Sequence, residues 1–212
     1  AIGAFLSAVQ SNANDAASWY GLAEAGRAAG HYVDALRAIT EALDLQNDWL
    51  DAMLLRGRIL IDHGPDFWDE AVLELTKALA LQPDALEARL HLASALQRLN
   101  RTEEAIKILS DGLVLSPEST QLLQQHIRLL LELHRTDEAQ KSLERLLVLA
   151  PEDATSSILA AVVLESTGDV QAASEHAERA VIRAEKSAEA WRALAQVRIR
   201  QDRLDEAKQA LH

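Results

Sequence analysis

Apolar positions recur along this chain at two nested periods. Within short stretches they fall three and four residues apart, and the stretches themselves repeat every 34 residues, as from Ala105 to Ala139, Ala173 and Ala207. Residues 86–119 show both periods. Leu86, Leu90, Ala93, Leu96 and Leu99 lie on one face of a helix. Asn100 interrupts them, and Asn tolerates the left-handed conformation that ends helices. A second apolar face follows, through Ala105, Ile106, Ile108, Leu109, Leu113 and Leu115. Glu103 and Glu104 open that helix, where its dipole favours carboxylates, and Pro117 prevents its continuation. The spacing predicts an antiparallel helix pair. Neither helix is long enough to be stable alone, so each must bury its face against the next pair.

The same unit reads along the whole chain. Residues 16–49, 50–85, 86–119, 120–153 and 154–187 are five complete copies, and 188–212 is a sixth that stops inside its second helix. Ala1, Phe5 and Ala8 sit one period before Ala35, Ile39 and Ala42, so residues 1–14 read as the second helix of a preceding copy. Ending inside a copy at both termini suggests a segment of a longer protein, whose last helix exposes Ala207, Ala210 and Leu211. The period breaks once. Ala35 to Ala71 is 36 residues, while Gly30 to Gly64 is still 34, so two extra residues lie between Gly64 and Ala71. Trp68 then takes the place of Tyr32, and Phe67 has no counterpart and is expected to project from the turn beside His63. The fifth copy carries Ser157 for the usual bulky residue and Glu185 for the proline.

Small residues hold fixed columns: Ala23, Gly57, Ala93, Ala161 and Ala195 on first helices, and Ala35, Ala71, Ala105, Ala139, Ala173 and Ala207 on second helices. A 34-residue period with small residues at the helix crossings and a terminal proline resembles the tetratricopeptide repeat (TPR) family. The resemblance covers essentially all 212 residues. It implies an all-α fold, a right-handed α-solenoid (superhelix) of antiparallel helix pairs, with 1–212 as a single TPR solenoid.

Composition narrows the partners. The formal charge is −12, the wrong sign for a phosphate-binding surface, so no nucleic-acid partner is expected. No apolar run reaches the ~20 residues of a membrane span, so direct membrane insertion is not expected. The chain has no cysteine, which rules out disulfides and thiolate metal sites and leaves cytoplasm and periplasm equally open.

The chemistry-bearing residues form no catalytic constellation. The 7 histidines never stand four apart on a predicted helix, and neither an HExxH motif nor a glycine-rich phosphate loop occurs. The acidic pairs Glu103–Glu104, Asp137–Glu138 and Asp205–Glu206 recur at one repeat position, which points to helix-dipole compensation rather than acid–base work. The chain is therefore read as non-catalytic, with no cofactor and no metal.

The resemblance also implies where a partner binds, since first helices of the family line a concave face. Three columns map there: Tyr20, Leu54, Leu90, Gln124, Ile158 and Arg192; Glu24, Arg58, Ser94, Arg128, Val162 and Gln196; and Gly21, Leu55, His91, Gln125, Leu159 and Ala193. The candidate peptide-binding residues are Tyr20, Leu54, Arg58, Leu90, His91, Ser94, Gln124, Arg128 and Ile158. Their mixed apolar and polar character, with two arginines, suits a protein or peptide partner carrying apolar side chains and carboxylates, which the guanidinium binds bidentately. Pairing of Arg58 and Arg128 with acids such as Asp62 or Glu132 is the competing reading. None of these columns holds the Lys or Asn that the family's chaperone-tail clamp and asparagine ladder use. The function so implied is a protein-interaction scaffold segment. Two alternatives stay open: a TPR arm of a larger multidomain protein, such as a substrate-recruiting arm of an enzyme or a periplasmic export or assembly scaffold, and self-association through exposed end helices.

Overall fold

Thirteen α-helices and no strand occur among residues 2–210, the part of the chain that the computed structural model describes. Helix α1 spans Ile2–Ser11. Six pairs follow: α2 (Ala16–Ala28) with α3 (Tyr32–Leu45), α4 (Leu50–His63) with α5 (Trp68–Leu81), α6 (Leu86–Arg98) with α7 (Thr102–Leu115), α8 (Thr120–Glu132) with α9 (Thr136–Leu149), α10 (Ala154–Thr167) with α11 (Val170–Arg183), and α12 (Ala188–Arg200) with α13 (Leu204–Ala210). Each pair lies inside one copy of the sequence period. The helices gather into two compact units, Ala1–Leu115 and Ser116–His212.

The turn within five of the six pairs is made by one repeated backbone device, the exception being the turn from α4 to α5 at Gly64. Gly30, Asn100, His134, Gly168 and Asp202 all have positive φ, the last four at 34-residue intervals. At four of these turns the next residue's N–H bonds the carbonyl five residues back: His31 to Gly26, Arg101 to Leu96, Arg135 to Leu130 and Arg203 to Arg198, at 2.8–2.9 Å. This left-handed closure satisfies the carbonyls a helix end leaves over. Arg101, Arg135 and Arg203 then grip the carboxylates of Glu104, Glu138 and Glu206 through two nitrogens each, at 2.6–2.8 Å.

A second device holds five of the six turns that lead into a first helix. The indole of Trp19 donates to Ala13 O at 2.9 Å, and that of Trp191 to Glu185 O at 2.6 Å. Arg89, in the same repeat column, donates to Pro83 O at 2.6 Å. Where that column holds Leu123 or Ser157, an arginine of the following second helix reaches the carbonyl instead: Arg145 to Pro117 O at 2.8 Å and Arg183 to Pro151 O at 3.1 Å. The carbonyl at this repeat position takes a side-chain donor each time, and different residues supply it.

The core follows the small columns. Every alanine in them is buried, and a Cβ on Gly57 would lie 2.7 Å from the Leu75 side chain. Ile39, Leu55, Ile59, Leu60, Leu75 and Leu109 fill the first unit, and Leu122, Leu123, Ile127, Leu129, Leu130 and Leu146 the second. Each such side chain contributes about 1.5–3 kcal/mol when fully buried.

Two expectations are corrected. Pro65–Phe67 forms a 3-10 turn, after which Trp68 begins α5 as Tyr32 begins α3. Phe67 does not project from it. Its ring stacks on His63, with centroids 4.0 Å apart and 11° between planes, and is half-buried, because the stack removes apolar ring surface from water. At the other end, Ala207 and Ala210 are buried against Trp191, Leu194 and Ala195. The amphipathic face of α13 turns inward onto α12. Ala1 and Leu211 lie outside the described residues.

Candidate functional site

In the first unit, α2, α4 and α6 present the predicted groove residues. Tyr20 on α2 is half-buried and stacks on Trp49, with centroids 4.9 Å apart and 28° between planes. Burial raises its phenol pKa, and the carboxylates of Glu24, Asp51 and Glu87, one from each of the three helices, push the same way. Arg58 on α4 acts electrostatically on both Tyr20 and His91. Burial lowers the His91 pKa, and Arg58 adds to it, since both disfavour the imidazolium. Leu90, His91 and Ser94 on α6 are half-buried. These residues form one mixed face that holds Arg58 together with the carboxylates of Glu24, Asp51 and Glu87.

Arg58 is itself half-buried, and its guanidinium has no hydrogen bond or ion pair with any described residue. Asp62, its expected competitor for pairing, is taken by Arg27 on α2 at 2.7 Å.

In the second unit, α8, α10 and α12 form the corresponding face, with different wiring. Gln124 donates from its amide to Asp153 Oδ2 at 3.1 Å. Arg128 on α8 forms a hydrogen-bonded ion pair with Glu189 in the first turn of α12, two repeats on. The partner is neither of the acids named from sequence.

Two predicted groove residues belong to the core. Leu54 is only 7% exposed, and Ile158 only 4%, the latter packed in a cluster with Ala161, Ala193 and Val197. First helices of successive repeats lie side by side, and the column between them closes. Most of the third column closes for the same reason: Leu55, Leu159 and Ala193 are buried, and a Cβ on Gly21 would lie 2.3 Å from the Phe5 ring. Only His91 and Gln125 of that column keep partial exposure. Sequence reading missed Trp49 and Glu189. Trp49 had a usable signal, a large aromatic at a repeat boundary beside the Tyr20 column. Glu189 had none, since a first-turn acid already has a reason to be there.

Among the described residues, no three His, Cys, Asp or Glu side chains stand close enough to share a metal ion. No helix among them is long and apolar enough to cross a membrane.

Comparison with known proteins bears on the fold. Tetratricopeptide repeat profiles match residues 68–123, 125–187 and 167–211. No curated protein matches the sequence. Among solved structures, a tetratricopeptide repeat protein from Parabacteroides merdae is similar with a TM-score of 0.77 and 15% identity, over 92% of this chain and 77% of that one. The pilus biogenesis factor PilW is similar with a TM-score of 0.75 and 19% identity, over 92% of this chain and 90% of that one. YrrB, described as a TPR protein with an unusual peptide-binding site, is similar with a TM-score of 0.63 and 21% identity, over 90% of this chain and 97% of that one. With the 34-residue period, the helix pairs and the matched profiles in agreement, the chain belongs to the tetratricopeptide repeat family.

Proposed function

We propose that this chain is a non-catalytic interaction scaffold whose first unit binds an extended segment of a partner protein on the face of α2, α4 and α6. The observation that carries the reading is the state of Arg58. It is a half-buried guanidinium without an ion pair to any described residue, and it acts electrostatically on Tyr20, which stacks on Trp49, and on His91, next to Leu90 in α6. A half-buried guanidinium whose N–H donors meet no carboxylate keeps them available, and an incoming carboxylate can take them in charge-assisted hydrogen bonds. Leu90 and the aromatic pair supply apolar contact beside it, so the segment recognised carries a carboxylate flanked by apolar side chains. The peptide-binding site named for YrrB supports the class of ligand.

A peptide array probed with wild-type, Arg58→Ala and Arg101→Ala chains tests this. Peptides pairing a carboxylate with apolar neighbours should bind wild type and Arg101→Ala alike. Arg58→Ala should lose about 1.5–3 kcal/mol, the range of a charge-assisted hydrogen bond. Arg101 is the control because its guanidinium is already committed to Glu104, while its removal changes the formal charge equally. Equal losses in both variants would leave only a diffuse charge effect. No loss in either would move binding away from this face.

A further inference from the structure

We infer that the second unit holds its own carboxylate-binding site at Arg128, kept shut by Glu189 acting as an internal stand-in for the partner's side-chain carboxylate. The inference rests on reading the concave face as the partner-binding surface. Its evidence is separate from that for Arg58.

Arg128 stands at the same repeat position as Arg58, and the two guanidiniums differ in what they meet. Arg128 reaches past α10 to Glu189, 61 residues away. The positions in register with Glu189 on α10 and α8 are Thr155 and Gln121, neither of which carries charge, so in this unit the acid at that position comes from α12. The pair is open to solvent, with 36% of the Arg128 side chain and 41% of the Glu189 side chain exposed. Ion pairs this exposed are weakly held and exchange readily.

Opening the pair strands neither group. Glu189 lies in the first turn of α12, where the helix dipole favours a carboxylate without help from Arg128. Arg128 would pass to a ligand carboxylate of the same chemistry, offering the same fork of N–H donors. The neighbouring polar groups are already committed: Gln124 to Asp153, and Arg192 to the Ala188 carbonyl of its own helix. The pair is therefore a displaceable latch. The site is present in the folded chain, and its apparent affinity is reduced by the fraction of time the latch is closed.

The test uses the full chain and N-acetyl-glutamate amide, a molecule with one side-chain carboxylate. The Nε–Hε signals of Arg128 and Arg58 are followed by NMR during titration of wild-type, Glu189→Gln and Glu185→Gln chains. Glu185 is an exposed acid four residues before Glu189, at the end of the preceding repeat, and its replacement removes the same charge without touching the latch. The Arg128 signal should respond about two- to fivefold more steeply in Glu189→Gln than in wild type, the range set by a weak surface pair. Glu185→Gln should match wild type. Equal slopes in all three chains would overturn the latch, as would a Glu185→Gln response equal to that of Glu189→Gln. The Arg58 signal reads the first-unit groove independently. Silence there in every chain would remove the carboxylate contact proposed for Arg58 and leave the Arg128 comparison intact.

Discussion

The first-helix faces of the two units carry the same residue type at the same repeat position and put it to different use. In the first unit Arg58 acts on Tyr20 and His91, on a face shared with Glu24, Asp51 and Glu87, and forms no ion pair with any described residue. In the second, Arg128 is paired with Glu189 two repeats on. The difference is not in the arginines or in the helices that present them. It lies in whether a distant first-turn position holds an acid. In this fold a first-helix arginine can be paired from two repeats away without a change in its own helix.

The comparison is sharpest if the packing beneath the two faces is equivalent, and the largest expected effect tests that. Ala105→Leu in the first unit and Ala139→Leu in the second each force a large side chain into a fully buried small position. Both should cost about 1–3 kcal/mol in chemical denaturation. A cost in one unit alone would mean that the scaffolds differ too, and that the contrast between Arg58 and Arg128 is not a matter of wiring.

A smaller effect isolates the wiring. Arg128→Ala should cost about 0.2–1 kcal/mol of stability through loss of its pair, and a double-mutant cycle with Glu189→Ala should assign most of that to the coupling. Arg58→Ala should fall within error of wild type or slightly above it, since it loses no partner. A cost for Arg58→Ala equal to that for Arg128→Ala would erase the distinction.

The smallest effect concerns protons. Burial holds the imidazoles of His91 in the first unit, and of His126 and His176 in the second, below the ordinary histidine range. The unfolded chain therefore takes up protons first as pH falls. This contribution to stability is complete above about pH 6.5, the ordinary histidine value, and is lost as pH drops toward the lowered folded values. The urea midpoint should decline from pH 7.5 to 5.5. His91→Gln and His126→Gln should each flatten the decline. His126 also shares a 3.0 Å hydrogen bond with Ser142 Oγ, so its replacement should lower the midpoint at every pH as well.

Much of the fold was legible because it is local. The 34-residue period located the helix pairs, and Asn100 was readable as a helix end because its left-handed φ of 57° is a property of one residue and its neighbours. The shift of Trp68 into the place of Tyr32 followed from counting the insertion. The site was less legible. Leu54 and Ile158 fall on the outward columns by helical period alone, and only the closeness of successive first helices buries them. Phe67 looked unpartnered because His63 is four residues away across a break in the helix, where helical spacing predicts nothing. Ala207 and Ala210 looked exposed because the face that covers them belongs to α12.

The sequence by itself determined the repeat, the pairing of helices within each copy, the small columns that let them approach, and the acids that open second helices. These rest on spacing and on the intrinsic preferences of single residues, which need no knowledge of distant partners. Tertiary structure alone decided which outward residues remain accessible and which charges are satisfied. Arg58 and Arg128 are indistinguishable within their own helices. The pairing of Arg128 depends on how tightly α8, α10 and α12 stack, which sets whether a guanidinium on the first can reach a carboxylate on the third. That distance is a sum of many packing contacts, and no residue near either arginine encodes it.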